Sequence, residues 1–286
     1  MRVRKPVLIV LGEPNSVFIE ILAKTLNKNN IKKKIDYPII IIGSKELIFK
    51  QLKILKQKLL FETLDKKNIN KKLKNKVYLI DIKYEFSKAF EKISNKSKKY
   101  INKCFFEAFK LLKLNLSKII INGPISKKHF LSKKFPGVTE YVFENSWKKL
   151  SQKAVMLLYN EKLSVSPLTT HIPLKYVNKK INSKIIINNI VAINNFYKNR
   201  FKIIPHIAVL GLNPHCETKS KINEENKVII PAIKKLKDRK IKVSGPFPAD
   251  TFFLKKNIKK FNSVLGMYHD QVLTPFKTLF GFNASN

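Results

Sequence analysis

Short apolar runs alternate with amphipathic stretches along most of this chain, and this alternation is the feature that most restricts its fold. The apolar run at residues 7–11 precedes a helical pattern at 16–27, and a second run follows at 38–42. Apolar residues that recur roughly every three to four positions predict helices, whereas runs of roughly four to eight apolar residues predict buried strands. Strands that alternate with helices are typical of α/β proteins. We therefore predict an α/β fold.

The same pattern predicts the rest of the chain. The further predicted elements are helices at 45–59, 97–112, 182–195 and 224–236, and strands at 77–82, 118–121, 154–158, 165–169, 207–212 and 264–268. The strands at 154–158 and 165–169 leave little room for a helix between them, which predicts some antiparallel pairing and hence a mixed sheet. The basic segment 66–76 is interpreted as a solvated connector.

Length and composition indicate a globular protein. The 286 residues are 44% hydrophobic, enough for one large or two modest domains with a core. No stretch approaches the roughly 18 apolar residues that a membrane span needs, and the first apolar run is too short for a signal peptide. Two cysteines, Cys104 and Cys216, cannot build a disulfide framework. We expect a soluble cytoplasmic protein with reduced thiols.

The charge is strongly positive, with 58 Lys and Arg against 19 Asp and Glu and a formal net charge of +39. Such a balance is found in nucleic-acid-binding proteins. Here, however, the lysines are spread along the whole chain and are not focused into one stripe interleaved with aromatic residues. We interpret them as a solvated surface and expect no nucleic-acid partner. The positive field still attracts phosphorylated small molecules, which predicts a phosphate-bearing substrate.

Three of the five histidines, His171, His215 and His269, each follow an apolar run. In open α/β sheets, ligands bind outside the carboxyl ends of the strands, so three imidazoles at three such ends can converge on one divalent ion. Asp270 adjoins His269, and adjacent residues of an extended chain point to opposite faces. We therefore predict His269, and not Asp270, as the third ligand.

Two turns are candidates for anion binding. GEPNSV at 12–17 follows a predicted strand but has no dinucleotide or P-loop spacing, and a tight turn with Ser16 as helix cap explains it. INGPISKKH at 121–129 places Lys127 beside the carboxyl end of a strand, where a cation can hold a carboxylate or a phosphate.

The segment GPFPADT at 245–251 surrounds a carboxylate with two prolines and a glycine, which fix an irregular backbone. Two interpretations stay open here. Asp250 and Thr251 cap the following helix, or Asp250 reaches a metal ion or a proton.

Seven strings together carry a resemblance to a known family. They occur in the order GEPNSV, NGPISK, FPGVTEY, LTTHIPL, GLNPHCE, GPFPADT and MYHDQVLTPFK and span nearly the whole chain. In this order they resemble the 4-hydroxythreonine-4-phosphate dehydrogenase family. The resemblance implies one catalytic unit over residues 1–286, with two interwoven lobes, an active-site cleft between them and a fold similar to isocitrate and isopropylmalate dehydrogenases.

The resemblance also implies the chemistry. The family oxidises the C3 hydroxyl of 4-phosphooxy-L-threonine with NAD and a divalent ion, for which zinc, magnesium, cobalt and manganese all stay open. Decarboxylation then gives 3-amino-2-oxopropyl phosphate for pyridoxal phosphate synthesis. The enzyme is a homodimer, so the ion is expected to take His171 and His215 from one subunit and His269 from the other.

Matching positions carry the remaining roles. Thr139 and Asn286 are expected to contact the substrate, and Lys277 is expected to hold its phosphate or carboxylate at the catalytic centre. Asp250 corresponds to an acidic residue near the metal, where proton transfer and orientation of a ligand both stay open. Lys127 is expected to bind an anionic group of the substrate.

Two departures from the family pattern are visible. Val138 stands where many members carry a substrate-binding histidine, which predicts weaker binding, a shifted orientation or compensation by a neighbouring lysine. The sequence also stops at Asn286, where members continue through a further strand to an arginine that grips the substrate, so a fragment is one expectation.

Three alternatives therefore accompany the family activity. The first is a related dehydrogenase of phosphothreonate or phosphoerythronate, the second is a truncated non-catalytic remnant, and the third is a basic nucleic-acid-binding protein. Turnover of a different phosphorylated acid would favour the first, and salt-sensitive DNA binding without turnover would favour the third.

Overall fold

The chain folds into two compact units, Met1–Gln152 and Lys153–Asn286. A computed structural model describes residues 4–28, 35–65, 69, 73–131, 135, 137–146, 154–216, 223–281 and 283. Each unit contains one sheet with helices packed against it, which confirms the predicted α/β class. None of the described helices is both long enough and apolar enough to cross a lipid bilayer.

The first unit contains a five-stranded sheet with the strand order β3-β4-β2-β1-β5. Its elements are β1 (Val7–Val10), α1 (Phe18–Asn27), β2 (Ile39–Gly43), α2 (Lys45–Ile54), β3 (Glu62–Thr63), β4 (Val77–Asp81), α3 (Lys98–Lys113), β5 (Ile119–Asn122) and α4 (Val138–Ser146).

Helices cover both faces of this sheet, and the apolar runs follow from that arrangement. In β2, Ile40 and Ile42 pack in the cluster that contains α3, whereas Ile39 and Ile41 pack in the cluster that contains α1 and α2. All four isoleucines are buried. A strand buried on both faces needs a continuous apolar run, because alternate side chains enter different cores.

The second unit contains a four-stranded sheet with the strand order β6-β9-β7-β8. Its elements are β6 (Ser164–Thr169), α5 (Val177–Lys180), α6 (Ser183–Phe201), β7 (Ile207–Leu210), α7 (Ile230–Asp238), β8 (Val243–Phe247), α8 (Ala249–Phe252), α9 (Lys255–Ile258), β9 (Ser263–Tyr268) and α10 (His269–Phe280).

The central strand β9 separates the two cores of this unit. Leu265 and Met267 pack in the cluster that contains α6 and α7, and Val264 packs in the cluster that contains α10. Helices on both faces therefore bury the sheet again, which leaves the carboxyl ends of its strands as the edge where loops can carry side chains.

The prediction of a mixed sheet is wrong for the part of the chain that the structure describes, because every strand pair in both sheets is parallel. The segment 154–158 forms no full strand, and the predicted antiparallel pairing is limited to one bridge between Leu158 and Val165. Its apolar side chains pack beside the sheet without extending it.

Most predicted boundaries agree with the observed ones to within two residues, and the exceptions have local causes. Helix α2 ends at Ile54, before the predicted residue 59, and Lys56 adopts a left-handed φ of +50° just beyond it. Helix α6 begins where the Asn182 side chain accepts a hydrogen bond from Ile185 N and continues to Phe201. The predicted helix at 224–236 begins as a π-helical turn, Glu225–Ile229.

Candidate metal and substrate site

The three histidines follow the carboxyl ends of three neighbouring parallel strands. His171 lies two residues after β6, His269 directly follows β9, and His215 lies five residues after β7. Strand β9 pairs with β6 on one side and with β7 on the other. Because parallel strands end at the same edge of a sheet, all three histidines belong to one edge. Their role as metal ligands stays a prediction.

The rings of His171 and His269 are neighbours, with centroids 6.0 Å apart. A metal–nitrogen bond of about 2.0–2.1 Å places the centroids of two imidazoles that share one ion about 5–6 Å apart. Both the donor type and the separation of this pair therefore fit a divalent ion.

Asp270 fixes the tautomer of His269. Its Oδ1 lies 2.7 Å from Nδ1 of the ring, and because a carboxylate can only accept, Nδ1 carries the proton and Nε2 keeps the lone pair that binds metals. The expectation that the two side chains diverge is wrong, because His269 begins helix α10 and the backbone there is not extended. The predicted choice of His269 over Asp270 as ligand still agrees with this geometry.

Asp250 lies beside His215, at the carboxyl end of the fourth strand, β8. Its Oδ2 is 3.6 Å from His215 Nδ1, and its Oδ1 accepts a hydrogen bond of 2.8 Å from Thr251 N in the first turn of α8. One carboxylate thus serves both interpretations left open by the sequence. It stabilises the start of a helix and faces a candidate ligand.

The backbone is strained at two of the three histidines. His171 has a φ of +52° and His215 has a φ of +56°. The left-handed region costs a residue with a side chain about 1–2 kcal/mol. Such conformations persist where the surrounding structure determines them, and they cluster at functional sites. The strain marks these two loops as parts of a site.

Within the described residues of one chain, no group of three or more His, Cys, Asp or Glu side chains is close enough to hold one ion. The structure brings together His171 with His269, and His215 with Asp250.

Two predicted substrate contacts belong to the first unit. Lys127 is exposed at the start of the π-helical turn Lys127–Leu131, five residues after β5. Thr139 is exposed in the first turn of α4, whereas its neighbour Val138 packs against the apolar cluster of this unit. Val138 therefore offers no hydrogen-bonding side chain where many family members are expected to have one.

Tyr141 anchors helix α4 on its inner face. Burial raises the pKa of Tyr141 to about 12, and its hydroxyl donates a hydrogen bond of 3.0 Å to Asn102 Oδ1. The phenol is therefore a neutral donor at any physiological pH, and it holds the turn that presents Thr139.

The two predicted anion-binding turns of the first unit pack on each other after the adjacent strands β1 and β5. Gly12 has a φ of +73°, and a Cβ at this position would lie 2.6 Å from Pro124 O. Only glycine fits so close an approach. Ser16 Oγ accepts a hydrogen bond of 3.3 Å from Phe18 N, the first residue of α1, as the predicted cap requires.

Lys277 lies in the last turn of α10, eight residues after His269, so its Cα is about 12 Å further along the helix axis. It is exposed. Asn286, the remaining predicted substrate contact, lies outside the described residues.

Sequence analysis missed three buried polar residues beside these loops, namely Thr169, Glu225 and Gln271. Their types and spacing match no motif. Only their hydrogen bonds across the sheet edge reveal them.

Comparisons with known proteins agree with this fold and site. Residues 34–286 match the family model described as pyridoxal phosphate biosynthetic protein PdxA. The chain is 37% identical over 278 residues to 4-hydroxythreonine-4-phosphate dehydrogenase of Sulfurihydrogenibium sp. (strain YO3AOP1), covering 95% of this chain and 82% of that protein. The protein of the same name from Aquifex aeolicus is 32% identical over 280 residues, covering 96% and 83%.

A crystal structure of 4-hydroxythreonine-4-phosphate dehydrogenase from Klebsiella pneumoniae superposes with a TM-score of 0.77 at 25% identity, covering 98% of this chain and 86% of that chain. The two parallel sheets and the histidine-bearing edge thus define an α/β protein with a candidate metal site. The chain belongs to the PdxA family.

Proposed function

We propose that the chain is a 4-hydroxythreonine-4-phosphate dehydrogenase that uses NAD and a divalent metal ion. The observation that carries the proposal is the placement of His171, His215 and His269 at one sheet edge, with Asp270 fixing the ring of His269. The names of the relatives supply the substrate. Two-lobed architecture with a cleft, as in isocitrate dehydrogenase, belongs to the same proposal.

His171, His215 and His269 would hold the ion. A divalent ion at this place acidifies a coordinated hydroxyl and stabilises negative charge on oxygen. Neutral imidazoles suit this task, because they leave the positive charge of the ion undiminished, whereas carboxylate ligands would reduce it. NAD would accept the hydride from C3 of the substrate.

The product follows from the position of the oxidised carbon. Oxidation of the C3 hydroxyl of 4-phosphooxy-L-threonine places a ketone β to the carboxylate, and such acids lose carbon dioxide readily. The chain therefore has to orient the alcohol and exclude competing reactions. Loss of carbon dioxide then yields 3-amino-2-oxopropyl phosphate.

Asp250 is proposed to orient His215. At 3.6 Å from Nδ1 it is within ionic contact and just beyond hydrogen-bonding distance. Its second oxygen is held by Thr251 N, which limits its freedom. A carboxylate in this place selects the ring orientation of a metal ligand.

Lys277 is proposed to hold the phosphate or the carboxylate of the substrate, with Lys127, Thr139 and Asn286 as further contacts. Lys127 and Lys277 are exposed, and both can pair with an anionic group. The formal net charge of +39 adds a long-range attraction for a phosphorylated anion.

A homodimer with a shared ion is proposed from the family resemblance, which assigns His171 and His215 to one copy and His269 to the other. Within one chain the structure places His171 nearest to His269. Both facts are compatible with a division of two ligands and one ligand between the copies.

The test is metal-dependent formation of NADH from 4-phosphooxy-L-threonine. We expect His215→Ala to lower kcat/KM by about 100-fold or more, because an ion is then held by fewer ligands. His206→Gln is the matched control, since His206 directly precedes the amino end of the same strand, β7. Equal activity of the two variants, or no turnover by the wild type, would contradict the proposal.

Phosphothreonate and phosphoerythronate belong in the same assay. Val138 packs into the apolar core and offers no hydrogen bond, so substrate choice depends on the remaining contacts. Turnover of one of these acids alone would replace the proposed substrate and keep the proposed reaction.

A further inference from the structure

Buried polar side chains join the strand ends that carry the three histidines. Thr169 Oγ1, at the end of β6, donates a hydrogen bond of 2.8 Å to Met267 O in β9. The amide of Gln271 bridges the next gap. Its Oε1 accepts from Met267 N and its Nε2 donates to Gly211 O, just after β7, both at 2.7 Å. Three neighbouring strand ends are thus linked through Met267.

Each link lies close to a histidine in the sequence. Thr169 is two residues before His171, and Gln271 is two residues after His269. Gln271 is 8% exposed, so its two hydrogen bonds are shielded from water. A shift of the β7 loop against β9 would break at least one of them.

Glu225 holds the loop that carries His215. Its Oε1 accepts hydrogen bonds from Leu212 N at 2.7 Å and from Asn213 N at 2.9 Å, and its Oε2 accepts one from Asn213 Nδ2 at 2.7 Å. The carboxylate is 1% exposed. All three donors are uncharged N–H groups that lie two or three residues before His215.

The carboxylate and the loop are in direct contact. A Cβ at Gly211 would lie 3.0 Å from Glu225 Oε1 and 2.6 Å from Cys216 Sγ. Burial alone would raise the pKa of Glu225, but the N–H groups of Asn213 and Leu212 outweigh it, so the pKa is lowered and the group is charged. Hydrogen bonds to a charged acceptor are stronger than those between neutral groups.

We propose that Glu225 and Gln271 are positioning residues that fix the His215 loop against the β9–α10 junction and so set the spacing of the metal ligands. Glu225 determines the course of the loop, and Gln271 determines its distance from His269. Metal sites tolerate deviations of only about 0.2 Å in ligand distance, so this spacing controls affinity. The inference rests on the metal site of the proposed function.

Two conservative variants remove these contacts. Glu225→Gln keeps the shape of the side chain but replaces one acceptor oxygen with an NH2 group, which then faces an N–H donor. Gln271→Met keeps the volume and removes both hydrogen bonds. Tyr197→Phe is the matched control, because its buried hydroxyl links Ser164 Oγ and Asn262 O at 2.7 and 2.9 Å, at the amino ends of β6 and β9.

The experiment is a Co²⁺ titration of the metal-free full chain, followed by the visible absorption of the bound ion, with thermal unfolding measured on the same samples. We expect Glu225→Gln and Gln271→Met to raise the Kd for Co²⁺ by about 10- to 100-fold and to change the absorption spectrum. Tyr197→Phe should lower the thermal stability and leave the Kd within about twofold of wild type.

Wild-type Kd values in both positioning variants, or an equal loss in Tyr197→Phe, would overturn the inference, because the links would then serve stability alone. Should Glu225→Gln not fold, Gln271→Met decides the test. Co²⁺ binding needs no substrate, so a wrong substrate assignment leaves this outcome unaffected. A wild-type chain that binds no Co²⁺ would overturn the metal site itself, and the inference with it.

Discussion

His269 has a defined hydrogen-bonding partner, and this partner decides which ring nitrogen can bind a metal. Asp270 Oδ1 accepts from Nδ1 at 2.7 Å, which leaves Nε2 as the donor atom. The pair stands at the start of α10, where a carboxylate is favoured by the positive end of the helix dipole. Local helix geometry therefore prepares one ligand before any ion binds.

Removal of this partner should weaken metal binding. We expect Asp270→Ala to raise the Kd for Co²⁺ by about 10- to 100-fold, because the ring of His269 loses its fixed tautomer and orientation. Asp238→Ala is the control, since it removes the same charge from an exposed position at the end of α7. Equilibrium dialysis of both variants measures the difference, and an Asp270→Ala chain that binds Co²⁺ like the control would contradict this role.

Sequence patterns identify single residues of the site better than their partners. The histidines could be predicted because each directly follows an apolar run, which is a local signal. The partners of Gln271 and Glu225 lie 60 and 13 residues away in the chain, at Gly211 and Leu212. Such contacts depend on which strands become neighbours, and no local pattern of residues encodes that.

Strand β7 lies between two histidines of different character. His215 follows its carboxyl end in the candidate site, and His206 precedes its amino end, where the ring lies 4.4 Å from that of Phe261 and Nε2 lies 2.8 Å from Ser244 Oγ. Burial lowers the pKa of His206, and the positive charge of Lys242 lowers it further. The neutral ring is therefore the form that fits this edge of the sheet.

The lowered pKa predicts a pH dependence of stability. Below the unfolded-state pKa of about 6.5, the unfolded chain binds a proton at His206 that the folded chain binds only at lower pH, so the free energy of unfolding falls as pH falls. We expect His206→Gln to reduce this fall between about pH 7.5 and pH 5. Urea unfolding at both pH values measures it, and an unchanged difference would show that His206 does not contribute.

The secondary structure follows from the sequence more completely than the sheet does. Apolar runs of isoleucine and valine predict strands β1, β2 and β9 because burial on both faces needs continuous apolar side chains. The same logic misled at 154–158, where an apolar segment packs beside the sheet and makes one bridge only. Periodicity reports burial, and a buried segment need not be a strand.

At the scale of the whole molecule, two units with parallel sheets carry different parts of the predicted site. All three histidines and Asp250 belong to the second unit, whereas Lys127 and Thr139 belong to the first. The charge of +39 is distributed over the entire chain and acts on any phosphorylated ligand at long range. The central claim is that the three histidines act on one ion as a set that two copies of the chain share.

Mixing of inactive variants tests this claim most directly. Pairs of His171→Ala, His215→Ala and His269→Ala chains are refolded together, and NADH formation is measured. If two ligands come from one copy and one from the other, two of the three pairs form mixed dimers with one intact site, and about a quarter of wild-type activity returns.

The pair whose histidines share one copy should stay inactive, and the family resemblance predicts that this pair is His171→Ala with His215→Ala. Recovery in two pairs and not in the third is the result that the account predicts. The absence of recovery in every pair would show that two copies do not share the ion, and would contradict the account.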